Sequence, residues 1–264
     1  MQRLAATMIF CLASAHAWAQ NRDEVARQLS NPVASLTSVP FQFNYEEGAG
    51  ATGDGHRWRL NVQPVIPMSI GENWNLISRT IVPVVQQGRI VPGAGEQSGL
   101  GDTLQSFFFS PKALTDTGWT WGVGPVFLLP TATDDLLGGG KWGAGPTLVA
   151  LRQTEDGWTY GVLTNHVHSF GGDSNRRDID ATFLQPFVAK RIGPGRTISA
   201  NIESTYDWKS SAWTAPMFVG VSQVLPVGKQ LISLQGGVLW YVEAPGNAPD
   251  WGVRFTFTLL FPKH

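Results

Sequence analysis

Apolar and polar residues alternate one for one along segment after segment of this chain, and few folds tolerate that pattern at such length. The stretch 57–70 reads RWRLNVQPVIPMSI. Trp58, Leu60, Val62, Pro64, Ile66, Met68 and Ile70 fall on one parity, and Arg57, Arg59, Asn61, Gln63 and Ser69 on the other. Successive strand side chains point to opposite faces, so such a segment is a strand with one oily and one polar side. The stretch 197–208 repeats the pattern, with Ile198, Ala200, Ile202, Tyr206 and Trp208 against Thr197, Asn201, Glu203, Thr205 and Asp207. So does 251–261, where Trp251, Val253, Phe255, Phe257, Leu259 and Phe261 oppose Arg254, Thr256 and Thr258.

Read throughout in this way, the chain gives twelve strands, at 33–45, 57–70, 74–85, 99–111, 119–130, 141–153, 158–170, 180–191, 197–208, 213–226, 231–244 and 251–261. Strands of globular proteins usually run about 5–6 residues. These are about twice as long, which suits a tilted crossing of some 30 Å of hydrocarbon. The connections alternate too. Short turns such as 71–73, 154–157, 193–196 and 228–230 take turns with longer loops at 46–56, 86–98, 131–140, 171–179 and 245–250, with 209–212 a short exception. That is the pattern of an all-β, transmembrane antiparallel barrel of about twelve strands, with short periplasmic turns and longer extracellular loops. An even strand count places both strand termini on the periplasmic side.

A soluble β-sandwich also hides one face of each strand. Aromatic placement argues against it: Trp58, Trp74, Trp119, Trp121, Trp142, Trp158, Tyr160, Trp208, Trp213 and Trp251 sit near strand ends, as in interfacial girdles, rather than centred in a core. Lipid also cannot satisfy an open strand edge, which gives closure a physical motive. Only 15% of residues are charged, against about 25% in ordinary globular chains. A net charge of −1 without a basic stretch argues against a nucleic-acid partner. Outer-membrane lipid and a small-molecule solute are the expected partners.

The first nineteen residues, MQRLAATMIFCLASAHAWA, combine one cation, a short apolar run and a small-x-small ending. They read as a cleaved secretory signal. A short periplasmic segment at 20–32 and a barrel domain at 33–264 complete the expected layout, exported to the outer membrane of a Gram-negative bacterium. Cys11 is the single cysteine and leaves with the signal, so neither disulfide, thiol nucleophile nor cysteine metal site is expected. Prolines 64, 67, 83, 125, 146, 186 and 216 lie inside strands, where each removes a ladder donor, and imply bulges and bends. A gap in the wall is a second way to accommodate them.

Several runs resemble a known group. They include WGVGPVFLLPTATDD at 121–135, Leu137-Gly138, KWGAGP at 141–146, NPVASL at 31–36, WNLISRT at 74–80, Gly101-Asp102-Thr103, FFSPK at 108–112, STYDW at 204–208 and Phe261-Pro262. In these the chain is similar to proteobacterial outer-membrane transporters related to the MetA-pathway of phenol degradation family. The resemblance implies an outer-membrane barrel and uptake of small hydrophobic or aromatic compounds, and it transfers no catalytic residue.

A charge facing lipid at mid-membrane costs roughly 2–4 kcal/mol. Strand charges and their polar neighbours are therefore expected to line the lumen: Arg57, Arg59, Asn61, Gln63, Arg79, Asp102, Gln105, Asn201, Glu203, Asp207 and Arg254. They either pair with one another or oppose cations and carboxylates across a constriction. Asp134-Asp135 with Gly138 to Gly140 lacks the further ligands of a calcium loop and reads as a solvated turn. Asn165, His166, His168, Ser169 and Ser174 raise the alternative of a barrel lipid hydrolase. His166 and His168 share a face, but Ser169 lies on the other, so a bulge would be needed. The primary expectation is a passive, porin-like channel for small solutes, not an enzyme, without cofactor or metal. The alternatives are the hydrolase and a soluble exported β-protein.

Overall fold

A computed structural model describes residues 22–262, and the signal expected at 1–19 lies outside these. One short helix, α1 (22–29), precedes fifteen strand segments. They are β1 (Thr37–Ala49), β2 (Gly55–Val62), β3 (Val65–Ile70), β4 (Trp74–Gly88), β5 (Glu96–Leu100), β6 (Thr103–Pro111), β7 (Trp119–Leu129), β8 (Lys141–Gln153), β9 (Trp158–Gly172), β10 (Asp180–Gly193), β11 (Arg196–Ile202), β12 (Ser204–Asp207), β13 (Ala212–Val227), β14 (Gln230–Glu243) and β15 (Trp251–Phe261). Each pairs antiparallel with its neighbours, β9 joins β10, and β15 returns to β1 along Thr37↔Phe261 to Glu47↔Trp251. The segments β2/β3, β5/β6 and β11/β12 are single staves interrupted once, so the ring is a closed barrel of twelve.

The alternation in the sequence becomes the two faces of this wall. On β15, Gly252, Arg254, Thr256, Thr258 and Leu260 are buried inside, while Trp251, Val253, Phe255 and Phe261 are exposed outside. Outward aromatics stack across strands, as Phe43 does with Phe255 and Tyr45 with Trp58. Nine of the ten described tryptophans occupy outward strand positions, and Trp208 sits in the turn after β12. Trp74, Trp119, Trp121 and Trp158 ring the short-turn end; Trp58, Trp142, Trp213, Trp240 and Trp251 ring the long-loop end.

Proline and the interruptions go together. The ladder lapses between β6 and β7 at Phe107 and Phe108, between β8 and β9 at Gly145 and Pro146, and between β10 and the β11/β12 stave at Gln185 and Pro186. At two of these places a glycine precedes the proline and lies flush against the next strand. A Cβ on Gly124 would stand 2.0 Å from the Phe107 carbonyl oxygen, and one on Gly145 would stand 1.8 Å from that of His166. A carbonyl fixed in a sheet cannot retreat, so these positions admit no side chain. The β5/β6 interruption differs in kind. Val84 pairs with Leu100 but Ile81 with Leu104, a slip of one residue at Asp102 that exchanges the two faces of the stave.

The first strand begins at Thr37 rather than at 33. Asn31 turns the chain instead, accepting the Val33 N–H on its side chain and the Ala34 N–H on its carbonyl. Residues 22–36 then lie within the short-turn mouth. Val25, Ala26 and Leu36 pack on the inward-facing Val224, Leu231 and Leu260. Val33 packs on Ile77, Phe108, Val149, Leu151 and Leu163 of the opposite wall. The short-turn end of the lumen is therefore filled by an apolar stopper made from the chain's own N-terminal segment.

Gly145→Ala should lower the unfolding midpoint in detergent by the ~1–3 kcal/mol that overpacking typically costs, and reduce the yield of folded barrel. Gly236→Ala, where a Cβ would meet nothing within 4 Å, should change stability by no more than ~0.5 kcal/mol. The shift of gel mobility on heating reports both.

Candidate lumen constriction and binding chamber

Pairing register decides which side chains meet inside. Asn44 faces Arg59 on β2 and Arg254 on β15, and Glu46 faces Arg57. The polar parity of β1, β2, β4 and β15 therefore gathers four arginines on one side of the lumen. Arg59 Nη2 donates to Glu46 Oε1 at 2.6 Å, the Tyr241 hydroxyl donates to the same carboxylate at 3.0 Å, and Arg57 approaches it at 3.9 Å. Arg57 also donates to Gln87 at 3.1 Å.

From β15 the Arg254 guanidinium reaches Glu203, which belongs to the β11/β12 stave, beyond β14 and β13. Nη1 and Nη2 hold the two carboxylate oxygens at 2.6 and 2.9 Å, while Nε holds Asn44 Oδ1 at 2.7 Å. The same guanidinium lies 4.9 Å over the Phe218 ring. Phe218 lies against Gly220 and Gly237, where added Cβ atoms would sit 2.5 Å from the ring. Two glycines thus make room for a phenyl ring, and the ring supports a cation that clamps a carboxylate. Glu203 is free to reach Arg254 because the ladder is broken beside it: its own N–H donates to the Pro216 carbonyl, and Pro186 lies on the other flank.

A cavity of about 310 Å³ lies between this belt and the N-terminal stopper. Arg79, Gln63, Asn201 and Gln185 line its sides, and residues 28–32 its floor. Gln63 donates to Gln42 at 3.1 Å and accepts from Arg79 at 3.3 Å. The lumen is thereby narrowed twice, by charge above the cavity and by apolar packing below it.

The expected lumen residues sort into three groups. Arg57, Arg59, Asn61, Gln63, Arg79, Asn201, Glu203 and Arg254 share the inward face. Asp102 and Asp207 serve the long-loop rim instead. Asp102 accepts the backbone N–H groups of Ala132 at 3.2 Å and Gly139 at 2.6 Å, which folds the loop 130–140 inward over Gly99 and Gly101. Asp207 pairs with Arg177 of the loop 173–179. Gln105 faces outward, sharing its side with Thr80 and Phe127, because the slip at Asp102 reversed the parity of β6. Its amide remains satisfied there, accepting from Thr80 at 2.6 Å and donating to Ser78 at 3.0 Å. Asn44, Glu46, Phe218 and Tyr241 belong to the constriction and were not among the expected residues.

The expected girdle residues Trp58, Trp74, Trp119, Trp142, Trp158, Tyr160, Trp213 and Trp251 occupy outward strand positions, and Trp208 lies beside them in its turn. His166 and His168 lie outside as well. His166 Nδ1 is 2.9 Å from Thr182 Oγ1, which also accepts the Trp208 indole N–H at 2.9 Å. Asp180 sits 3.5 Å from His166 and 3.4 Å from His168. Ser169 faces the lumen side and donates to Asp178 at 3.4 Å, so no serine-histidine pair forms there.

No family model and no curated protein matches the chain. Solved structures do. The COG4313 outer membrane channel from Pseudomonas putida F1 is similar over 86% of this chain and 94% of its own, with a TM-score of 0.66 at 14% identity. The NanC porin is similar over 85% of this chain and all of its own, with a TM-score of 0.51 at 10% identity. At such identities the likeness is one of fold, and the fold is that of Gram-negative outer-membrane barrels.

Removing either partner of the Arg254–Glu203 pair strands a buried charge. Arg254→Ala and Glu203→Gln should each cost roughly 3–5 kcal/mol, read as earlier unfolding in urea with detergent-solubilised barrel. At the rim, Lys141 Nζ holds Asp178 at 3.0 Å and keeps its carboxyl below the usual carboxylate range. A depressed value means that the tether operates above the ordinary carboxylate pKa and is lost as pH falls through the lowered one. Hydrogen exchange in the loop 173–179, corrected for intrinsic rates, should be slow at pH 7 and accelerate at pH 3. Lys141→Ala should weaken that dependence, leaving the part carried by the Asp207–Arg177 pair.

Proposed function

We propose that this chain is an exported outer-membrane channel that admits small solutes passively, from the long-loop end toward the N-terminal stopper. The observation that carries this reading is the cavity between stopper and arginine belt, a space of about 310 Å³ inside a closed wall. Solute-binding pockets usually span about 300–1,000 Å³. Side-chain-filled barrels have about eight strands, and twelve leave room for such a space. The outward apolar band and its two aromatic girdles support lipid as the surrounding partner. The signal-like segment at 1–19 supports export. Val65, Leu163 and Phe187 on the cavity wall, together with the sequence resemblance, support solutes with a hydrophobic or aromatic body.

Protein reconstituted in liposomes should pass small organic solutes. Deleting residues 22–36 should raise the flux severalfold, because that segment closes the lower mouth. A barrel that stays sealed to all solutes with the segment deleted would overturn the reading.

A second reading, lipid hydrolysis at the outer surface, is favoured by one arrangement: the chain Thr182, His166 and Asp180 on the lipid-facing side. Under the channel reading, phospholipid vesicles incubated with the protein release no fatty acid. Release that disappears with Thr182→Ala or His166→Ala would instead make the protein a hydrolase.

A further inference from the structure

We infer that the chamber is a binding site for small organic anions, with a carboxylate held by Arg79 and a compact apolar body set against Val65, Leu163 and Phe187. The inference rests on the channel reading above and names the solute class. It starts from how the arginines are occupied. Arg254 takes both oxygens of Glu203, Arg59 takes Glu46, and Arg57 shares Glu46 and donates to Gln87. Arg79 has no carboxylate within ion-pair distance among the described residues, and its bond to Gln63 is a long 3.3 Å. Arg79 borders the cavity, where it is the only charged side chain among the lining residues.

The nearest carboxylate to influence Arg79, Glu203, has both oxygens taken by Arg254, and a desolvated cation without a direct ion pair, alone in an otherwise neutral chamber, favours a monovalent anion. The guanidinium fork matches a carboxylate in two parallel bonds. A second observation is independent of Arg79. Thr197 Oγ1 and Asn201 Oδ1 are buried without a hydrogen-bond partner, and both residues line the same cavity. Buried polar atoms are normally satisfied: the Thr197 hydroxyl can donate to an occupant's oxygen, while the Asn201 oxygen, an acceptor, takes a water carried with it. Val65, Leu163 and Phe187 supply the apolar wall that a bare inorganic ion would not need.

The test compares three probes on the purified full-length barrel by calorimetry: benzoate, its neutral isostere benzamide, and acetate, which has the charge without the ring. Benzoate should bind at least ten-fold tighter than either. Arg79→Gln should erase the advantage over benzamide, and Arg79→Lys should retain part of it, with folding of both variants verified by gel mobility. Equal binding of benzoate and benzamide by the unmodified protein overturns the inference without any variant. So does a benzoate preference that survives Arg79→Gln, or acetate binding as tightly as benzoate. Liposome flux separates the two readings. Flux without anion preference leaves the channel and removes the site; Arg79-dependent binding without flux leaves the site and removes the channel.

Discussion

In hydrocarbon no backbone N–H or C=O can turn to water, and the rest of this structure follows from that. A sheet obeying the rule must close, and β15 returns to β1 through an unbroken run of pairs to do so. Closure then assigns every residue a side. Oil goes outward with its aromatic girdles, and whatever is charged goes inward, where it must find a partner in a narrow space. The ion pairs of the lumen are consequences of closure more than causes of it. Arg254 and Glu203 come from staves separated by β13 and β14, and only the curvature of a closed wall brings them within bonding distance.

The proline breaks show how much departure the rule allows. Each removes a donor, yet the wall remains closed because a neighbour fills the place. Gly124 and Gly145 let the adjoining strand slide close enough to bury the kink. The break at Glu203 is turned to use, since a carboxylate freed from regular pairing geometry can reach across to a guanidinium.

Much of this was legible in the sequence because a strand's period of two is a strong signal when repeated over long segments. All twelve staves lie where alternation put them, with edges moved by a few residues. The exceptions have local causes. The first strand expected at 33–45 stops at Tyr45, although Gln42, Asn44 and Glu46 continue the polar parity opposite Phe41, Phe43 and Tyr45; the same signal followed one residue further reaches Glu46. Gln105 was misplaced because a one-residue slip at Asp102 leaves no trace in the pattern of side chains yet flips every later one. Phe218 inside the lumen is apolar on the polar parity, so alternation argues against it; the glycines at 220 and 237 that receive it are meaningful only once their strands are paired. The stopper was not legible at all, since the apolar residues of 22–36 fall in a segment too short to show either period, and nothing local says what they pack on.

The stopper rests on Val25, Ala26, Val33 and Leu36, with Leu29 and Ala34 partly buried beside them; the Gly195 N–H donates to Asp23, the Asn75 amide to Ser35, and Arg27 and Gln153 bond each other. Full burial of a large aliphatic side chain is worth roughly 1.5–3 kcal/mol, and three of the four buried residues are smaller than leucine. A helix the length of α1 is marginal by itself in water. Such a segment can leave the mouth at a cost of several kcal/mol, well below that of opening a ring in which every stave is bonded on both sides. Displacing the N-terminal segment would therefore leave the wall intact, and the chamber would lose its floor but keep its sides.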